Sequence, residues 1–224
     1  MRPFCLLYLL AVVLGLSSRT VAQQASSGQN VTQPEAKRIL GIIPNYRTSP
    51  SLHPYKPLTA GEKFKIAGED SFDRGTAGLA VLFAGEAQLT KATPSFGNGI
   101  EGYSRYLATS SADLVIGDMM TEAIFPVMLH QDPLYFRRGT GSTWARLGSA
   151  AGQIFGTHTD SGHSQFNFSE VLGNSTAVAI SNAYYPDNRT ATNAVSKLGI
   201  QLGVDMASNI LKEFWPEISR KISP

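Results

Sequence analysis

From Thr59 to the C-terminus, apolar residues recur at three- and four-residue spacing, and convincing period-two alternation occurs nowhere. Such spacing lines apolar side chains along one face of a helix, whereas a half-buried strand needs strict alternation. The expected fold is therefore all-α, a compact bundle of about six helices. Thr59-Ala60-Gly61-Glu62 is a capping box that starts the first of them, ending near Asp70. Others are expected over 73–91, over 101–129 with a bend at Pro126, over 143–157, over 169–185 with a stop at Pro186, and over 190–214 with a stop at Pro216.

Gly148, Gly152 and Gly156 repeat every four residues, as do Gly199 and Gly203. An interior glycine costs a helix up to about 1 kcal/mol relative to alanine. The spacing therefore predicts glycine-striped close packing, a zipper in which another helix approaches along the bare face.

The N-terminus reads differently. Met1-Arg2-Pro3 precedes an apolar run from Phe4 to Leu16 and a polar stretch ending Thr20-Val21-Ala22. These are the parts of a secretory signal peptide over 1–22, cleaved near Ala22. The run is shorter than the roughly 20 residues a spanning helix needs. The single cysteine, Cys5, lies in it, so the mature chain has no thiol for disulfides, thiolate nucleophiles or Cys-based zinc sites. Arg2 and Arg19 leave with the peptide, reducing 19 basic residues to 17 against 17 acidic ones. That balance excludes a nucleic-acid partner, which would need a cationic surface, and is the regime in which proteins self-associate. Residues 23–58 form a Gln/Ser/Asn-rich linker and then a Pro-rich extended arm (Pro44, Pro50, Pro54, Pro57), leaving 59–224 as the helical domain.

Three loops concentrate polar groups. His130-Gln131-Asp132-Pro133 ends the long helix, which also carries Asp118 and Glu122 one turn apart. His130, Asp118 and Glu122 are the candidate acid–base set; in the simpler reading His130 and Asp132 cap the helix and fix the turn, while Asp118 and Glu122 face water. Arg137 and Arg138 precede Gly139-Thr140-Gly141-Ser142 and a helix start; paired guanidinium groups and free amides are the ingredients of an anion site, with Ser142 as the N-cap in the simpler reading. His158, Asp160 and His163 have zinc-ligand chemistry, with Glu170 as a possible further ligand, or form a hydrogen-bonded surface loop. Asp205 and Asn209, with Asn174 and Asn182 on the preceding helix, are expected to pair across helices and fix their register. No cofactor motif is present.

The segments Gly102-Tyr103-Ser104-Arg105-Tyr106, Leu129 to Phe136, Ile180 to Pro186 and Glu213-Phe214-Trp215-Pro216 together resemble a family of exported bacterial proteins with no assigned activity. The resemblance runs from about Arg38 to the C-terminus and implies an envelope address. The expected role is structural or interactive, in contact with a membrane surface, an envelope protein or a second copy. The alternatives are an extracytoplasmic hydrolase or lipid-acting enzyme, and a binding module for an anionic headgroup.

Overall fold

The structure is a computed structural model that describes residues 38–39, 43–49 and 56–222. The expected signal peptide, the linker and part of the Pro-rich arm lie outside the described residues. Six helices carry the fold: α1 (Ala60–Ser71), α2 (Arg74–Leu89), α3 (Gly99–Asp118), α4 (Thr143–Gly152), α5 (Phe168–Tyr184) and α6 (Ala191–Ile222). The first, second and fifth keep the expected bounds to within a few residues. The capping box forms as read: Thr59 Oγ1 accepts from Glu62 N at 3.3 Å, and the Glu62 carboxylate accepts from Thr59 N at 2.8 Å.

α3 does not simply bend at Pro126. It passes through a π-helical turn, Met119–Ile124, and ends with a last α-helical turn, Phe125–Met128. Proline has no N–H and its ring displaces the carbonyl one turn back, so the wider turn lies where regular hydrogen bonding fails. Pro216, by contrast, does not stop α6, which continues to Ile222. Arg146 Nη2 bonds the carbonyl oxygen of Glu213 at 2.9 Å, so a side chain from α4 satisfies a carbonyl one turn before the proline.

Among the described residues there are also three short two-stranded ribbons. β1 (Arg38–Ile39) pairs antiparallel with β2 (Ile43–Pro44), and β3 (Thr48–Ser49) pairs parallel with β4 (Tyr135–Phe136). β5 (Gly156–His158) and β6 (Ser164–Phe166) form an antiparallel hairpin, so the fourth helix stops five residues before the expected 157. The described part of the arm and the helices fall within one compact unit.

Close helix approach occurs at a glycine other than those in the stripes. A Cβ on Gly148, Gly152 or Gly199 would meet no atom within 4 Å, and Gly156 is in a strand, so these glycines bring no helices together inside the chain. At Gly173 a Cβ would sit 2.9 Å from Thr121 Cγ2 and 3.1 Å from the Met120 carbonyl carbon, in the π turn. Gly173→Ala is therefore expected to lower stability by about 1–3 kcal/mol, because backbone cannot give way as a flexible side chain can. Gly148→Ala, on an exposed helix interior, should instead raise it by up to about 1 kcal/mol. Melting temperatures of the two variants check both signs.

The apolar core is small and aromatic at one end, where Ala84, Phe96, Tyr106 and Tyr185 cluster. Phe96 meets Tyr106 edge-on at 5.1 Å and stacks with Tyr185 at 5.8 Å. The tyrosine hydroxyls are all used: Tyr106 donates to Thr93 O at 2.7 Å, and Tyr184 and Tyr185 both donate to Asp113. The rest of the interior is unusually polar. Among the described residues, 20 polar or charged residues are buried against 14 apolar or aromatic ones. Charges are rarely buried unless paired, so their partners determine what this interior can do.

A buried charge cluster around Arg47

Arg47 comes from the arm, in the turn between β2 and β3. Backbone pairing holds it: Tyr135 N donates to Arg47 O at 2.7 Å, and Arg137 N donates to Ser49 O at 3.1 Å. With its main chain stitched to β4, the side chain enters the bundle. Nε donates to Pro133 O at 3.1 Å, Nη1 to Glu122 Oε1 at 3.1 Å and Nη2 to Glu170 Oε2 at 3.5 Å. Both glutamate side chains are 3% exposed. One guanidinium thus ties α3 to α5 across two carboxylates, a geometry that a planar fork permits and a point charge does not.

Further charges surround this bridge. Asp70 ends α1, Asp118 ends the regular part of α3, and Asp205 and Lys212 lie on α6. Asn174 Nδ2 donates to Glu170 Oε1 at 3.0 Å and to Asp205 Oδ2 at 3.2 Å, the interhelical network expected of these residues. A cavity of about 30 Å³ beside Arg47 is lined by Glu170, Asp205, Asn209 and Lys212, among others, and has room for about two waters. Burial, followed by the neighbouring charge of Asp70, pushes the Asp118 carboxyl up to about 7 and that of Glu122 well above the usual range. Burial and then Glu170 raise Asp205 in the same way, and burial raises Asp70. Lys212 is lowered, by burial and then by Arg47, and Arg47 is held charged against burial by the surrounding acids.

A second buried centre is built on Glu213, which is fully buried. Its Oε1 accepts from Arg146 Nε at 2.8 Å and from Gly139 N at 2.9 Å. Its Oε2 accepts from the Tyr135 hydroxyl at 2.7 Å and from Arg138 N at 3.0 Å. Gly139 has φ +67°, a left-handed conformation that glycine adopts without strain. Burial alone would raise this carboxyl, but Arg146, Tyr135 and the two amides hold it below the usual glutamate range.

The expected site residues are therefore distributed unevenly. Asp118 and Glu122 do meet in one cluster, but Glu122 is neither solvent-facing nor joined by His130. The His130 ring is 83% exposed and its backbone is left-handed, φ +52°, at the helix end. Gln131 N closes that end by donating to Pro126 O at 2.9 Å, and Asp132 accepts from Leu134 N at 2.9 Å, so both residues shape the turn. The anion loop does bind an anion, the chain's own Glu213 carboxylate, through the amides of Arg138 and Gly139. Ser142 caps α4 by accepting from Ala145 N at 3.3 Å, the simpler of the two readings of this loop.

The zinc set does not assemble. Asp160 accepts from Lys63, a 1% exposed lysine, at 2.7 Å. His158 packs edge-on against Phe136 at 5.1 Å, and His163 Nδ1 lies 3.0 Å from Ser161 Oγ on an exposed turn. Among the described residues no group of three His, Cys, Asp or Glu could hold a metal ion. Glu170, the further ligand considered, is committed to Arg47 and Asn174.

Sequence reasoning did not single out Arg47, Lys212 or Glu213. For the last two a signal existed: Lys212-Glu213 interrupts the apolar run Ile210-Leu211 and Phe214-Trp215. Arg47 carried none, because an arginine in a polar arm is an ordinary surface residue until the arm's course is known. No protein family model, curated protein or solved structure matches this chain.

Proposed function

We propose that the chain is an exported, envelope-associated helical protein with a structural or interaction role, whose outer face meets an apolar partner surface. The observation that carries this is the distribution of polarity. Large apolar side chains stand in solvent, among them Leu89 (86% exposed), Ile100 (83%), Trp144 (81%) and Phe72 (77%), while charges fill the interior. A water-exposed surface gains nothing from such groups, whereas a docking surface does. Phe155, Phe166 and Phe168 form a half-exposed ladder, with ring centres 6.4 and 5.0 Å apart. Trp144, Gly148 and Gly152 are exposed on the neighbouring α4, so the glycine stripe belongs to the outer face. Among the described residues no helix is long and apolar enough to cross a membrane, which directs the reading to contact at a surface. The N-terminal signal-peptide pattern supports the address.

The cluster around Arg47 supports the same reading from the inside. Its carboxylates and cations are committed to one another across four helices and the arm, and its cavity has room for waters rather than a substrate.

The test is cell fractionation with salt and carbonate washes of the membranes. The wild-type chain should stay with the envelope, and the triple variant Trp144→Ser/Phe155→Ser/Phe166→Ser should appear several-fold more in the soluble fraction with an unchanged melting temperature. Wild-type chain recovered wholly as free soluble protein would end this reading.

A further inference from the structure

We infer that the charge cluster holds two protons at neutral pH, one shared by Asp70 and Glu122 and one on Asp205 where it faces Glu170, making it a proton-set clamp on four helices. The starting observation is a pair of orphaned oxygens. Asp70 Oδ1 and Glu122 Oε2 are buried without any hydrogen-bond donor, in side chains that are 7% and 2% exposed overall. Asp70 ends α1 where that helix packs on the π turn carrying Glu122, and each carboxyl feels the other's charge. Two acceptors in contact repel when both are ionised; one proton between them converts the contact into a strong O–H···O⁻ bond. The second pair repeats the arrangement: Glu170 and Asp205 lie within hydrogen-bonding reach and share the single donor group of Asn174.

Counted over the four paired carboxyls the charges balance, and Asp118, titrating near 7 beside them, adds only part of a further negative charge. Four ionised carboxylates facing Arg47 and Lys212 would leave the interior with a net negative charge that burial does not tolerate. With one proton in each pair, two negative charges remain, matched by the two cations. Arg47 bonds one member of each pair, so the guanidinium sits between the two protonated dyads. The other groups facing the cluster are few. Asp118, at the end of α3, is raised by burial and then by the charge of Asp70, and titrates near 7. Asp73 faces Asp70 but is engaged as the cap of α2 and by the Tyr46 hydroxyl at 3.1 Å.

The folded chain therefore holds protons that the unfolded chain releases. Each pair's proton is bound in the folded state above pH 4, where a free carboxyl has lost it, so unfolding at neutral pH expels protons and stability falls as pH rises. Raising the pH strips the shared protons to water and leaves facing carboxylates between α1 and α3 and between α5 and α6. The clamp then opens from within.

The test is the number of protons released on thermal unfolding at pH 7.5, read from calorimetric enthalpies in buffers of different ionisation heat. Wild type should release about two, Asp205→Asn about one, and Asp70→Asn/Asp205→Asn close to none, since an asparagine N–H takes the place of the shared proton. An infrared C=O band of protonated carboxylic acid should be present in the folded wild type at pH 7.5 and vanish on unfolding; this reading needs no variant to fold. Zero protons released and no such band would overturn the inference. So would a melting temperature that drops on EDTA treatment, which would place a divalent cation, not a proton, between the oxygens.

Discussion

Arg47→Met unfolds more easily than wild type by about 3–5 kcal/mol at pH 8, and by much less at pH 5. Methionine fills most of the volume but removes the cation that bridges Glu122 and Glu170, leaving both carboxylates in a desolvated interior. Glu122 answers by holding its proton more firmly, so its carboxyl rises further in the folded state. By the linkage rule a group raised on folding supports the folded state most fully below its unfolded value and loses that support as pH climbs through its folded one. Acidification therefore rescues the variant. Arg47→Lys should recover only part of the loss, because an ammonium cannot reach Glu122, Glu170 and the Pro133 carbonyl together. Urea midpoints at the two pH values read the effect, and a loss under 1 kcal/mol at both would mean that the cluster does not depend on this guanidinium.

Glu213→Gln has the second large effect, again about 3–5 kcal/mol, with the opposite pH signature. The wild-type carboxylate receives four donors, and an amide would present N–H to two of them. Arg146, 8% exposed, would lose its bond to the carboxylate and keep Glu217 at 2.9 Å, the Glu213 carbonyl and the Phe214 ring. The Glu213 carboxyl is held below its ordinary range, so its contribution is complete above the unfolded value and disappears as pH falls through the lowered folded one. Wild type should lose stability steeply on acidification below about pH 4, and the glutamine variant, already weakened, should show a flatter acid limb. Acid titration followed by circular dichroism distinguishes the two. Together the centres bound the stable range from both sides: Glu213 on the acid side, the paired carboxyls on the alkaline side.

Much of this molecule was legible as a pattern. The helices could be placed because each is defined by local periodicity and by local stop and start residues such as Thr59 and Pro186. Pro216 shows the limit of that logic. Its helix-breaking character is real, yet α6 runs on to Ile222, and Arg146, 70 residues earlier in the chain, bonds the Glu213 carbonyl in the turn before it. The His158 loop illustrates the reverse error, since its ligand-like composition dissolves once Asp160 is seen to neutralise the buried Lys63. The four-residue glycine spacing did not point to Gly173, where the π turn passes close, because a single glycine carries no periodic signal.

By itself, then, the sequence determined the helical class, the near-neutral balance of charge, the lack of a thiol after Cys5, and the capping box at Thr59. Each follows from composition or from neighbours within a few residues. Only the tertiary structure decided which charges are buried and with whom. Glu122 and Glu170 lie 48 residues apart, and Arg47 reaches both from an arm outside the helices. Charge pairing in an interior depends on distance in space, and desolvation makes the choice of partner decisive. A linear pattern carries neither quantity.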